Sequence, residues 1–205
     1  MSVRTLPSGE PRPRYDQERL LLVAVDVFTE RGYDGTSMDQ LSHASGLSKS
    51  SLYHHIDGKE HLLRMALERA LDPLLAVLEE PEATTGRAID RLHHVITREV
   101  QVLTECLPFV TLLLRVRGNT ETERWALDRR REFDHRVTTL VEEAVVEGDI
   151  RADVDAATTT RLVFGLVNSL IEWYRPDGGL TPDDLAAQIT SLIFTGLHTT
   201  PSGAA

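Results

Sequence analysis

Ser37-Met38-Asp39-Gln40-Leu41-Ser42-His43-Ala44-Ser45-Gly46-Leu47-Ser48-Lys49-Ser50-Ser51-Leu52-Tyr53-His54-His55-Ile56 is the stretch that decides the fold. Ser37 with Gln40 three residues on has capping-box form and opens a helix whose Met38 and Leu41 face inward. Gly46 interrupts that helix after about two turns. Ser48 caps a second short helix with Leu52 and Ile56 as its buried pair. Two short helices joined by the turn Ser45-Gly46-Leu47-Ser48 have helix-turn-helix form. The second helix is about 12 Å long at 1.5 Å per residue, short enough for a major groove about 12 Å wide. With Leu52 and Ile56 inward, Ser50 and His54 point most nearly outward, flanked by Ser51 and Tyr53. Hydroxyls, imidazole and phenol suit base edges and phosphates, and Lys49 and Lys59 suit phosphate. Plain helical packing also produces such a pair, and Tyr53 could equally pack under the turn.

Outward from this segment the pattern is helical throughout. Leu21, Ala24, Val25 and Phe28 form one apolar stripe that Gly32 ends. Asp57 with Glu60 repeats the capping-box form before a longer helix, in which Pro73 predicts a kink or an early end. A loop is expected over residues 81–86, then helices over 87–106, 108–116, 120–147 and 155–174, and a last one opened by Thr181, Pro182 and Asp184. The fold class is all-α with about nine helices. Residues 1–13 read as a disordered tail, rich in proline and arginine with little apolar to bury.

Three blocks resemble the DNA-binding domain of the tetracycline-repressor (TetR) family: 36–41, 46–56 and 58–63, with Phe28 to Tyr33 similar to that family's first-helix exit. The resemblance spans about residues 14–74. It implies a DNA-binding transcriptional regulator that meets a palindromic operator as a homodimer. Thr36, Ser37, Lys49, Ser50, Ser51, Tyr53, His54, His55 and Lys59 would be the operator contacts. Residues 75–205 would form a helical domain for effector binding and dimerisation. Two recognition helices must lie about 34 Å apart to meet one DNA face, which gives dimerisation a physical purpose.

In that second domain, residues 155–174 are apolar on two faces, as is the last helix, so both need burial on both sides. A four-helix interface with a second chain is one solution, through Leu166, Leu170, Leu185, Ile189, Leu192 and Gly196; burial within one subunit is the other. Phe109, Leu113, Arg117, Trp125, Phe133, Asn168 and Trp173 are candidates for an effector pocket, Asn168 being a polar residue on an apolar stripe that needs a partner. An ordinary core with one satisfied amide accounts for the same residues. Residues 115–136 hold seven arginines against five acids. That density fits either a solvated helix face or the phosphates of an anionic ligand. The segment from Asn168 to Thr181 resembles a TetR subgroup whose effectors are acyl- or aryl-coenzyme A thioesters; a hydrophobic or aromatic drug-like ligand is the alternative.

Charge refines this picture. The chain carries 22 basic and 32 acidic residues, net −10, which opposes indiscriminate nucleic-acid binding. Residues 1–64 hold 8 basic and 9 acidic side chains, and both lysines of the chain lie there. Residues 65–205 hold 14 and 23, so the acidity belongs to the second domain. The single cysteine, Cys106, precludes an internal disulfide and suits a reducing compartment. No apolar run approaches the roughly 20 residues of a membrane span, so no membrane partner and a cytoplasmic location are expected. No phosphate loop, metal-spaced cluster or nucleophile motif is present, hence no catalytic residue, metal or cofactor is expected. That lack of motifs weighs against a helical enzyme, and an interaction module, the remaining class, would leave the polar face of Ser50, Tyr53 and His54 unexplained.

Overall fold

The computed structural model describes residues 17–195, all of their regular structure helical. The tail expected over residues 1–13 and Gly196 lie outside the described residues, as does the side chain of His55. The chain divides into two compact units between Leu62 and Leu63, twelve residues before the boundary expected at residue 74.

The first unit is built from α1 (Gln17–Arg31), α2 (Met38–Ser45) and α3 (Lys49–His55). α1 buries Leu20, Leu21, Ala24, Val25, Val27 and Phe28, the stripe visible in the sequence with its neighbours. It ends at Gly32, whose φ of +78° is the left-handed conformation that glycine adopts without a Cβ penalty. The Gly32 N–H then donates to the Phe28 carbonyl at 2.9 Å. Leu41 from α2, Leu52 from α3 and the following Ile56 complete the core, each worth about 1.5–3 kcal/mol when fully buried.

α4 (Lys59–Val77) begins in the first unit and continues in the second. Its first carbonyl is that of Gly58, which accepts from Leu62 N–H. The helix therefore starts one residue later than the Asp57–Glu60 pattern sets, and the Asp57 N–H meets His61 Nδ1 instead. Pro73 does not end it: the helix runs on to Val77.

The second unit continues with α5 (Pro81–Thr84), α6 (Ala88–Glu105), α7 (Leu107–Leu113), α8 (Glu121–Val146), α9 (Ala156–Asn168), α10 (Leu170–Trp173) and α11 (Pro182–Thr195). α6 is its centre, packed against α5, α7, α8, α9 and α11, with Leu92, Val95, Ile96, Val100, Val102 and Leu103 buried. Among the described residues eleven helical segments replace the nine or so expected, for two local reasons. Pro81, at the first position of a turn that needs no amide hydrogen, turns part of the expected loop into α5. Ser169 breaks the expected 155–174 helix: its hydroxyl donates back to the Leu166 carbonyl at 2.7 Å, a competing bond that bends helices. The opening of α11 is as expected, with Thr181 Oγ1 accepting from Asp184 N–H at 3.1 Å and Asp184 Oδ2 accepting from Thr181 N–H at 3.2 Å.

Candidate nucleic-acid interface and effector cavity

In the first unit, Ser37 and Gln40 cap α2 reciprocally, at 3.3 and 2.7 Å. Ser48 Oγ accepts from Ser51 N–H at 3.1 Å and caps α3. Two serines that the sequence reading passed over brace the turn between them. Ser42 Oγ donates to the Leu47 carbonyl at 2.5 Å, and Ser45 Oγ accepts from Leu47 N–H at 3.3 Å. Gly46 supplies the left-handed residue, φ +71°. Their signal was present only as a serine-rich turn, since such residues bond nearby backbone by habit.

On this frame α3 turns Leu52 inward and leaves Ser50, Tyr53 and His54 exposed, Tyr53 at 56 %. Ser51 is half-buried beside them, and Ser37 and Lys49 are exposed. Lys49 Nζ lies 2.7 Å from Asp39 Oδ1, an ion pair from α3 to the first turn of α2 that any phosphate must compete with. Two of the nine residues expected at DNA are committed elsewhere. Thr36 is only 2 % exposed and its hydroxyl donates to the Gly32 carbonyl at 2.8 Å. Lys59 Nζ donates to the Tyr33 and Thr36 carbonyls at 3.0 and 2.9 Å and lies 4.3 Å from the centroid of the Tyr33 ring. Thr36 therefore ties the α1–α2 loop to itself, and Lys59 holds that loop against the start of α4.

The second unit contains a narrow cavity of about 40 Å³. Its apolar wall is built by Val102, Leu103, Val110, Leu113, Phe133 and Phe164. Its polar lining is Glu99 from α6, Arg130 and Asp134 from α8, and Asn168 from the end of α9. Of the expected pocket residues, Leu113, Phe133 and Asn168 meet here. Phe109 is buried without lining the cavity, and Arg117 is exposed. Trp125 is covered by the Arg64 guanidinium 3.4 Å from its ring centroid, and Trp173 is 50 % exposed with its indole N–H 3.4 Å from Ser169 Oγ. The arginine-rich segment is largely a solvated face: Arg129 pairs with Glu132, Arg131 with Asp128 and Arg136 with Glu79. Arg130 is the exception that reaches the cavity.

Glu99 was missed because it sits on a buried stripe where sequence periodicity flags only apolar residues. It is 6 % exposed, and its Oε2 has no hydrogen-bond partner among the described residues. Burial, and to a lesser degree the charge of Asp134, push its pKa up to about 8. Burial also raises Asp134, against the pull of Arg130 and Arg161, and lowers Arg130. Glu80, Glu82 and His94 cluster with metal-ligand spacing on the same unit. There Glu80 is engaged by His94 at 2.6 Å and Arg98 at 3.2 Å, hydrogen bonds that hold its pKa below the usual value despite burial.

Of the residues expected at a dimer interface, Leu170, Leu185 and Ile189 are buried within the single subunit and need no second chain to cover them. Leu166 is half-buried and Leu192 is exposed, as is the neighbouring Leu162 at 70 %. Among the described residues no helix is long and apolar enough to cross a membrane.

Residues 20–66 match the family described as bacterial regulatory proteins, tetR family, and residues 85–197 match the tetracyclin repressor-like C-terminal domain. The chain belongs to the TetR family. As such it is a bacterial transcriptional regulator with a DNA-binding domain, and its relatives are transcriptional regulators. It is similar to the TetR regulator SCO3833 of Streptomyces coelicolor A3, with 58 % identity and a TM-score of 0.84 over 88 % of this chain and 91 % of that one. It is 28 % identical to the HTH-type transcriptional repressor KstR2 of Rhodococcus jostii, over 87 % of this chain and 89 % of the relative. AibR, solved in complex with isovaleryl coenzyme A and operator DNA, is 25 % identical with a TM-score of 0.72 over 87 % of this chain and 97 % of that one.

Proposed function

We propose that this TetR repressor binds a palindromic operator as a homodimer and is released by an acyl- or aryl-coenzyme A thioester. The observation that carries the DNA reading is the exposed trio Ser50, Tyr53 and His54 on a capped helix whose opposite side is buried. Tyr53 and His54 read base edges or thymine methyls, Ser50 and Ser51 complete the face, and Lys49 and the hydroxyl of Ser37 hold phosphate. Thr36 and Lys59 act one step back, by fixing the loop that sets α2. The exposed Leu162, Trp173 and Leu192, with the half-buried Leu166, supply apolar area for the partner subunit.

The effector reading draws on the cavity, whose apolar wall suits an acyl group. It draws also on AibR, which shares this fold and was solved with isovaleryl coenzyme A and operator DNA together. α4 gives ligand and operator a common element, since it starts at Lys59 and carries the cavity residues Ala70 and Leu74. A coupling of about 1–3 kcal/mol between the two sites is enough for release. The test is a gel-shift titration of the gene's own upstream DNA with and without a panel of coenzyme A thioesters. A competitor-resistant complex that a thioester dissolves supports the proposal; a complex indifferent to every thioester removes the effector assignment and keeps the regulator.

A further inference from the structure

We infer that the effector carries an uncharged oxygen function, a hydroxyl or ketone on its acyl portion, that hydrogen-bonds to the buried carboxyl of Glu99. This inference deepens the thioester reading above and rests on it. Glu99 lines the cavity, is almost wholly buried, and presents Oε2 without a partner among the described residues. A buried polar atom left unpaired costs about 1–3 kcal/mol, and a cavity built only for a hydrocarbon chain gains nothing from it. A leucine would fill the place better. The unpaired oxygen therefore marks a point where the ligand brings the missing partner.

The charges of the cavity say what kind of partner. Arg130 and Asp134 contribute one positive and one negative group from α8, and each acts on the other's proton affinity. α4 contributes Ala70 and Leu74, α7 contributes Val110 and Leu113, and α9 contributes Phe164 and Asn168, none of them charged. With Glu99 protonated the cavity is neutral, and it asks for a neutral group. A protonated carboxyl offers one O–H donor together with acceptor capacity, so either a hydroxyl or a ketone satisfies it. A site built to hydrogen-bond a ligand oxygen discriminates strongly against the analogue lacking it, because the site's own group is then left unpaired.

The experiment is calorimetric titration of the full-length protein with octanoyl coenzyme A and with matched octanoyl thioesters bearing a hydroxyl or a ketone on the distal half of the chain. At least one oxygenated thioester binds the wild type about tenfold or more tightly than octanoyl coenzyme A. Glu99→Gln, which keeps a donor and an acceptor, retains the preference. Glu99→Leu loses it while melting at a higher temperature than wild type without ligand, since the unpaired group is gone; that gain separates loss of recognition from loss of folding. Equal or tighter binding of plain octanoyl coenzyme A by the wild type overturns the inference and leaves the thioester reading standing. A preference that survives in Glu99→Leu also overturns it. The corresponding free octanoic, hydroxyoctanoic and oxooctanoic acids form a second arm. If they bind where no thioester does, the coenzyme A assignment falls and the Glu99 inference is judged on the acids; if nothing in either arm binds, both readings fall.

Discussion

The two units of this chain both tie polar side chains to their own backbone, and they differ at one buried carboxyl in the second. In the first, Ser37, Gln40, Ser42, Ser45, Ser48, Thr36 and Lys59 spend their donors or acceptors on the unit's own backbone. The second keeps a carboxyl oxygen of Glu99 without a partner among the described residues, in a cavity with an apolar wall. The first unit is finished before its partner arrives, as suits a rigid face that must meet fixed base positions. The second leaves one buried oxygen open, which is where the inferred ligand contact is placed. The difference teaches where to look for recognition in each: at exposed side chains in one, at a buried unpaired atom in the other.

The largest effect should come from the rigid face. Tyr53→Ala removes a side chain that is 56 % exposed, so the melting temperature should hardly move. Operator affinity should fall at least about thirtyfold, because the proposed dimer carries two copies of a contact worth about 1–3 kcal/mol. Anisotropy titration of labelled operator DNA checks this, and unchanged affinity would break the assignment of α3 as the reading helix.

Next comes the pH response of the incomplete cavity. The folded chain holds the Glu99 proton up to a pH of about 8, while the unfolded chain releases it near the usual 4.5. Between those values unfolding releases a proton, so stability falls as pH rises, at most by about 1.4 kcal/mol per unit, and the contribution levels off above pH 8. Arg130 and Asp134 face Glu99 across the cavity, and Arg161 acts on Asp134; none of them is altered in the comparison. Thermal melts of wild type and Glu99→Gln from pH 5 to 9 check it. The variant should lose that downward slope; parallel curves would place the ionisation of Glu99 elsewhere.

Gly46→Ala should cost about 1–2 kcal/mol in the first unit through its φ of +71° alone, because an added Cβ would meet nothing within 4 Å. Operator binding should weaken while ligand-induced stabilisation of the second unit persists. Loss of both would blur the contrast between the units. Asp39→Asn should produce the smallest change, a rise in operator affinity of about threefold or less, by freeing Lys49 from an exposed ion pair. Salt-dependent titration checks it, and a fall in affinity would show Asp39 serving the interface in its own right.

The same contrast explains what could be read from the sequence. The first unit was legible because local rules wrote it. Ser37–Gln40 and Ser48 announce their caps, Gly32 and Gly46 their turns, and Leu52 with Ile56 fixes which side of α3 is outward. What was missed there is the diversion of Lys59 to carbonyls 23 and 26 residues away, which no periodicity reveals, and of the Thr36 hydroxyl to the Gly32 carbonyl within the loop. In the second unit the long helices were legible and the cavity was not. Apolar spacing marks Leu113 and Phe133 as inward without saying which inward positions leave a gap. Trp125 and Trp173 look like ligand platforms by residue type, yet Arg64 covers one and solvent reaches the other. Glu99 falls on the buried stripe of α6, where periodicity marks apolar positions and passes over an acid. The break at Ser169 follows from a hydroxyl choosing a carbonyl three residues back, which helical periodicity alone does not record.

The most direct test of the account is a gel-shift titration of the duplex upstream of the gene, run against excess unrelated DNA at two salt concentrations, with wild type and Tyr53→Ala side by side. The account predicts a wild-type complex that survives the competitor, weakens as salt rises, and is absent from the variant at the same protein concentration. A wild-type complex that the competitor removes, or a variant that binds as the wild type does, would contradict it.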